Sequence, residues 1–91
     1  MSAFTPRILK NASRQLKKLD PPVASRIVTQ IKWLSEHFEE VTPEPLKGDL
    51  AGLFKYREGD YRIIYQPLKK EKVILIHEIG HRSDIYKKTK G

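Results

Sequence analysis

The chain has no cysteine, and only one methionine and one tryptophan, among its 91 residues. Without cysteine it can build neither a disulfide framework nor a thiolate metal centre, and that composition suits a reducing compartment. Long hydrophobic runs are missing too. The longest, Val73-Ile74-Leu75-Ile76, has four residues, where a membrane-spanning helix needs about 20. The N-terminus lacks an apolar signal core, so the reading is a soluble, cytoplasmic protein. Acidic charge is scarce: 11 Asp and Glu stand against 18 Lys and Arg, for a net charge of +7. The excess is uneven, with 7 cations to 5 acids in residues 1–45 and 11 to 6 in residues 46–91. A basic excess gathered in one half points to an anionic partner, either nucleic acid or an acidic protein. The length fits a single domain spanning residues 1–91.

What is present falls into a helical half and a strand half. Thr5-Pro6 reads as an N-cap followed by proline at the first helical position. Ile8, Ala12, Leu16 and Leu19 then recur at helical spacing as far as Asp20. Asp20-Pro21-Pro22 ends that helix and caps a second, whose stripe is Ala24, Ile27, Val28, Ile31, Leu34 and Phe38, with Trp33 at its edge. The segment "TPEPLKGDLAG", residues 42–52, is too rich in proline and glycine for a regular element. After it the pattern alternates. "LFKYR", Glu58-Gly59 and "DYRIIYQ" predict a tight hairpin, and a turn over Leu68–Glu71 leads into a third strand, "KVILIHEI". The class is α+β, with two N-terminal helices packed on one face of a small antiparallel sheet.

Alternation sorts the hairpin into two faces. Phe54, Tyr56, Tyr61, Ile63 and Tyr65 point to the helices; Lys55, Arg57, Asp60, Arg62, Ile64 and Gln66 point away. A turn centred on Glu58-Gly59 would set Lys55 opposite Arg62 and Arg57 opposite Asp60. Like charges opposed on a sheet destabilise it by roughly 0.2–1 kcal/mol. Lys47 before the hairpin and Arg82 at the end of the third strand add to the same cationic group, which has the make-up of a phosphate site.

His77-Glu78-Ile79-Gly80-His81 has the zinc-peptidase spacing H-E-x-x-H. That spacing works on a helix, where positions i and i+4 share a face about 6 Å apart. On a strand the same offset spans roughly 13 Å, too far for two imidazoles to share one zinc at about 2.0–2.1 Å. β-branched neighbours and Gly80 inside the motif predict a strand. No metal or other cofactor is expected.

"FTP", "LKKLD", "PLKGDLAGLFKYREGDYRIIYQ" and "GHRSDIY", in that order and spacing, resemble the RelE/ParE superfamily of toxin–antitoxin toxins, and the RelE branch in particular. The resemblance covers nearly the whole chain. It implies two helices on a curved sheet in the order βααβββ, and an mRNA endonuclease acting in the ribosomal A site. It also implies an acidic, RelB-like antitoxin partner, a toxin–antitoxin hetero-oligomer, and operator DNA binding through the antitoxin. The family's strand lysine matches Lys55, the basic position two later Arg57, the arginine of the "YRIIY" strand Arg62, the arginine after the last-strand glycine Arg82, and the C-terminal tyrosine Tyr86. Three departures stand out. Leu53 replaces a further lysine, the Arg82-to-Tyr86 spacing is short, and the first strand is nearly missing, since "FTP" begins at Phe4.

Cleavage of RNA by its own 2′-OH needs a base, cations for the phosphorane and an acid for the leaving oxygen. Lys55 is the candidate base, activated by Arg62 as a like-charged neighbour. Arg62 and Arg82 are the candidate phosphate ligands, and Tyr86 stacks on a base or donates a proton. His81, beside Arg82, is a conventional acid–base residue. Lys47, Arg57, Lys87 and Lys88 complete the expected RNA-binding set, with Lys90 extending the basic tail. Two other readings stay open: a ParE-like gyrase poison, and a non-catalytic RNA-binding module.

Overall fold

The computed structural model describes residues 3–46 and 52–89, with 86–89 as backbone only. Strand β1 (Thr5–Ile8) is followed by helices α1 (Lys10–Lys17) and α2 (Pro21–Glu36) and a 3₁₀ turn over Phe38–Glu40. Strands β2 (Glu44–Pro45), β3 (Phe54–Glu58), β4 (Tyr61–Leu68) and β5 (Val73–His81) come next, and helix α3 (Arg82–Thr89) ends the described chain. The sheet runs β1-β5-β4-β3-β2. Its pairs are antiparallel except β1 with β5, which run parallel.

Three expectations need correcting. Thr5-Pro6 is not a helix cap: Thr5 to Ile8 pair with Val73 to Ile76, and α1 starts only at Lys10. Pro6 has no N–H to donate, which an edge strand tolerates, and Ile8 satisfies strand and helix periodicity alike. Within residues 42–52, Glu44 and Pro45 do form a short edge strand against Lys55 and Phe54. The hairpin loop is Gly59-Asp60, so Lys55 lies opposite Ile64 and Arg57 opposite Arg62. The reason is the turn. Among these loop residues positive φ falls on Gly59 (+59°), the first loop position, as a type II′ turn requires. A loop starting at Glu58 would force that conformation on a residue with a Cβ.

α1 and α2 cover one face of the sheet. Ala12, Ile27, Ile31, Leu34, Phe38, Ile63, Tyr65, Ile74, Ile76 and Ile79 form the core beneath them, together with Phe4. Each fully buried aliphatic contributes about 1.5–3 kcal/mol relative to an exposed one. Tyr56 ties the sheet to α2 through a 2.9 Å bond from its hydroxyl to Gln30. Core residues 74, 76 and 79 break strict alternation because β5 carries a bulge: Ile64 pairs with Glu78 but Tyr65 with Ile76, so His77 is the extra residue. α1 stabilises the bulge. Gln15 accepts from the Ile79 N–H at 2.7 Å, and Gln15 and Asn11 both donate to the Glu78 carboxylate.

The reverse face carries a second, smaller core of Leu46, Ile64 and Ile85, with Leu53 against it. Ile85 belongs to α3, which therefore packs on the side away from α1 and α2. The sequence reading had no third helix. Of the α3 residues whose side chains are described, 82–85, Ile85 alone is buried, too little for a periodic stripe. No helix among the described residues is long and apolar enough to cross a membrane.

Candidate nucleic-acid interface

The reverse face of the sheet near the β3–β4 turn is where the cations gather. Arg57, Arg62 and Gly80 sit directly across from one another on β3, β4 and β5. Ile85 of α3 covers Gly80, and a Cβ placed there would meet it at 3.5 Å, an ordinary van der Waals contact. Two like charges at Arg57 and Arg62 are kept apart by different partners. Arg57 reaches outward to Glu44 at 3.2 Å, an exposed pair worth at most about 1 kcal/mol. Arg62 folds back on the turn, its Nη1 donating to the carbonyls of Gly59 and Tyr61, both at 2.9 Å.

Arg62 is only 7% exposed, and its Nε is buried with no hydrogen-bond partner. Its bonds run to neutral carbonyls, not to a carboxylate. A guanidinium cannot shed its charge to escape burial, so this cation has no charged partner among the described residues. Arg82 starts α3 at the same turn, its backbone N–H bonded to the Asp60 carbonyl at 2.7 Å. The hairpin turn thus organises both arginines, one through a side chain and one through the backbone. Arg82 itself is exposed.

Lys55 lies between Glu44 on β2 and Ile64 on β4. Arg62 is on its diagonal, not directly across, about 7–8 Å away at the Cα positions. His81 pairs with Tyr61, and the rings meet edge to face at 5.7 Å. Tyr61 packs against the core under α1 and α2, so His81 ends its strand on that side while Arg62 projects from the other. The His81 Nδ1 accepts the Ser83 N–H at 3.3 Å and lies 3.0 Å from the Ser83 hydroxyl. With Nδ1 accepting, the neutral ring carries its proton on Nε2. Tyr86, Lys87 and Lys88 fall on α3 by their backbone; their side chains, like Lys47, lie outside what the structure describes.

The H-E-x-x-H residues sit on β5, each tied elsewhere: His77 to Gln66 at 3.1 Å, Glu78 to α1, and His81 to Ser83. Among the described residues no group of three or more His, Cys, Asp or Glu could hold a metal ion. A cleft of about 420 Å³ lined by Phe4, Phe38, Val41, Pro43, Lys69 and Lys72 lies at the start of β5, away from the arginines. None of the expected site residues lines it. The residues that hold the site were not singled out from sequence: the Gly59 carbonyl, Glu44, Ser83 and Ile85. The glycine turn was the one available signal, and its register had to be known to use it.

The chain belongs to the RelE/ParE superfamily of type II toxin–antitoxin toxins. A family model described as the ParE toxin of the type II toxin–antitoxin system parDE matches residues 7–86. The chain is 31% identical over 85 residues to toxin RelG of Mycobacterium tuberculosis, covering 93% of this chain and 98% of that one. Among solved structures it is similar to a chain of the RelBE2 toxin–antitoxin complex of Mycobacterium tuberculosis, with 33% identity, a TM-score of 0.82, and 92% and 97% of the two chains covered. A mutant of the E. coli toxin RelE in the free state shares the fold at 19% identity and a TM-score of 0.74, over 96% and 94% of the chains.

Proposed function

We propose that this toxin is a ribosome-dependent endoribonuclease that cuts mRNA in the A site without a metal and is neutralised by a cognate acidic antitoxin. The observation that carries the reading is Arg62: a buried guanidinium with an unpartnered Nε and, among the described residues, no carboxylate, next to Arg57 and to the start of α3 at Arg82. A phosphate is the anion such a site lacks. In the reaction the 2′-oxygen bonds to the adjacent phosphorus as its proton passes to a base, and the bond from phosphorus to the 5′-oxygen breaks. That oxygen takes up a proton, leaving a cyclic 2′,3′-phosphate and a free 5′-hydroxyl. Arg62 and Arg82 stabilise the phosphorane, Lys55 is the base, and Tyr86 is the candidate proton donor, since His81 ends β5 on the side of the sheet away from Arg62. Lys47, Arg57, Lys87 and Lys88 hold the strand through its backbone. Similarity to RelG and to chains of RelBE complexes favours this branch.

The match to the ParE model supports a second reading, a gyrase poison, which does not need the arginine cluster. Mapping mRNA 5′ ends after induction, beside a supercoiling assay with purified gyrase, separates the two. On the nuclease reading Arg82→Ala abolishes both growth arrest and the new 5′ ends while antitoxin binding persists. Full toxicity in that variant overturns the assignment of the site.

A further inference from the structure

The helical side of the molecule carries a second cationic surface that the site on the reverse face does not use. Lys10, Arg14, Lys17 and Lys18 are all exposed, and residues 10–18 contain no acid. At about 100° of rotation per residue, the four fall within an arc of about 100° on α1 and its C-cap. Ala12 and Leu16, which face the core, lie on the opposite side of the helix. Of the polar residues between the two faces, Asn11 and Gln15 are already committed, clamping Glu78 and the bulge. Arg7 does not join the stripe, because it alternates with Ile8 on β1 and turns to the other face.

We infer that this stripe is a second RNA-binding surface, which grips the phosphate backbone of an RNA helix while the reverse face takes the mRNA. The inference rests on the proposed ribosomal function for its setting, but not for its chemistry. The stripe contains no apolar anchor, and the exposed large hydrophobic side chain among the described residues, Trp33 (41% exposed), is on α2. Contact through such a surface is purely coulombic. That fits a regularly charged backbone and gives a protein partner nothing to bury. From Lys10 to Lys18 the helix rises about 12 Å. One strand of a nucleic-acid helix presents three or four phosphates over that length. Two such surfaces on opposite faces make the toxin a wedge between a strand to be cut and a helix that holds it in place.

The test is binding of a fluorescent, blunt-ended RNA duplex against salt concentration, for the native protein and for Lys10→Gln/Arg14→Gln/Lys17→Gln/Lys18→Gln. Glutamine keeps the helix propensity, and circular dichroism checks the fold. The quadruple variant is expected to bind at least tenfold more weakly at 0.1 M salt, with a log–log salt slope shallower by about 3. Arg14→Gln/Lys17→Gln, less perturbing, is expected to show about half that change in slope. Unchanged slope and affinity overturn the proposal. So does a loss confined to a poly-L-glutamate probe, which would make the partner an acidic protein. If Arg62 and Arg82 variants remain toxic while the stripe variant loses the duplex, the nuclease reading fails and the stripe stands.

Discussion

Replacing Arg62 by methionine is expected to separate stability from activity. The substitution keeps an unbranched chain of similar reach and removes the buried charge. It deletes two charge-assisted bonds, from Nη1 to the Gly59 and Tyr61 carbonyls, each worth about 1.5–3 kcal/mol when made. Gly59 is in an exposed turn, so its carbonyl regains water. The substitution also removes an unpartnered buried Nε, whose burial costs about 1–3 kcal/mol, and a guanidinium desolvated without an anion. The opposing effects leave a net change within about 1 kcal/mol of zero. The neighbour Ile63, fully buried under the helices, gives the contrast: Ile63→Ala should cost about 2–5 kcal/mol. Loss of one preorganised charge from the phosphorane site should slow cleavage about 10²–10³-fold. Urea unfolding of both variants, beside single-turnover cleavage of ribosome-bound mRNA, measures the two effects. If Arg62→Met unfolds with the Ile63→Ala protein, or cuts at the native rate, the reasoning fails.

Gly59→Ala should destabilise by about 1–2 kcal/mol, since φ is +59° there although nothing obstructs the added methyl; a shift in urea midpoint with unchanged slope checks it. Gln15→Leu removes the acceptor of the Ile79 N–H and one donor to the Glu78 carboxylate, a loss of about 1–3 kcal/mol, and amide exchange at Ile79 should quicken first. The phenol of Tyr65, wholly buried and without a hydrogen-bond partner, is pushed up to about 12 by burial first and then by Glu44 and Tyr56. The unfolded chain ionises this group near 10, so it binds fewer protons than the folded chain above that pH. Stability is therefore expected to fall between pH 10 and 12, by about 2–3 kcal/mol from this residue; phenolate absorbance and unfolding followed together would show one tyrosine titrating only as the fold is lost.

The sequence carried the composition of each layer further than it carried the geometry between layers. Alternation sorted Tyr61, Ile63 and Tyr65 from Arg62 and Ile64 correctly, because a strand with two differently covered faces writes its period into the chain. Register was another matter. Moving the loop by one residue left the faces intact but changed which cations meet, and only the φ of Gly59 distinguishes the two. Residue patterning alone missed β1, which the family resemblance supplied, because its ladder is with residues 73–76 and no local window contains that partner. α3 was hidden for a similar reason: Ile85 is buried by Ile64 and Leu46, far away in sequence. His81, placed with Arg82 by adjacency, ends on Tyr61's side of the sheet, since the bulge at His77 resets the parity of all that follows.

The parallel pairing of β1 with β5 also has a bearing on how the molecule comes to exist. Thr5 meets Val73 across 68 residues, and α1 rests on the same strand. At 5–20 residues per second the intervening chain takes about 3–14 s to synthesise. Throughout that interval Phe4 and Ile8 have no strand to lie against, and α1, its outer face crowded with like charges, has no platform. A chain interrupted before Val73 has lost the neighbour of its first strand as well as its last. Native structure in this protein is thus gated by its final third, and the sheet edge that is translated first is completed among the last.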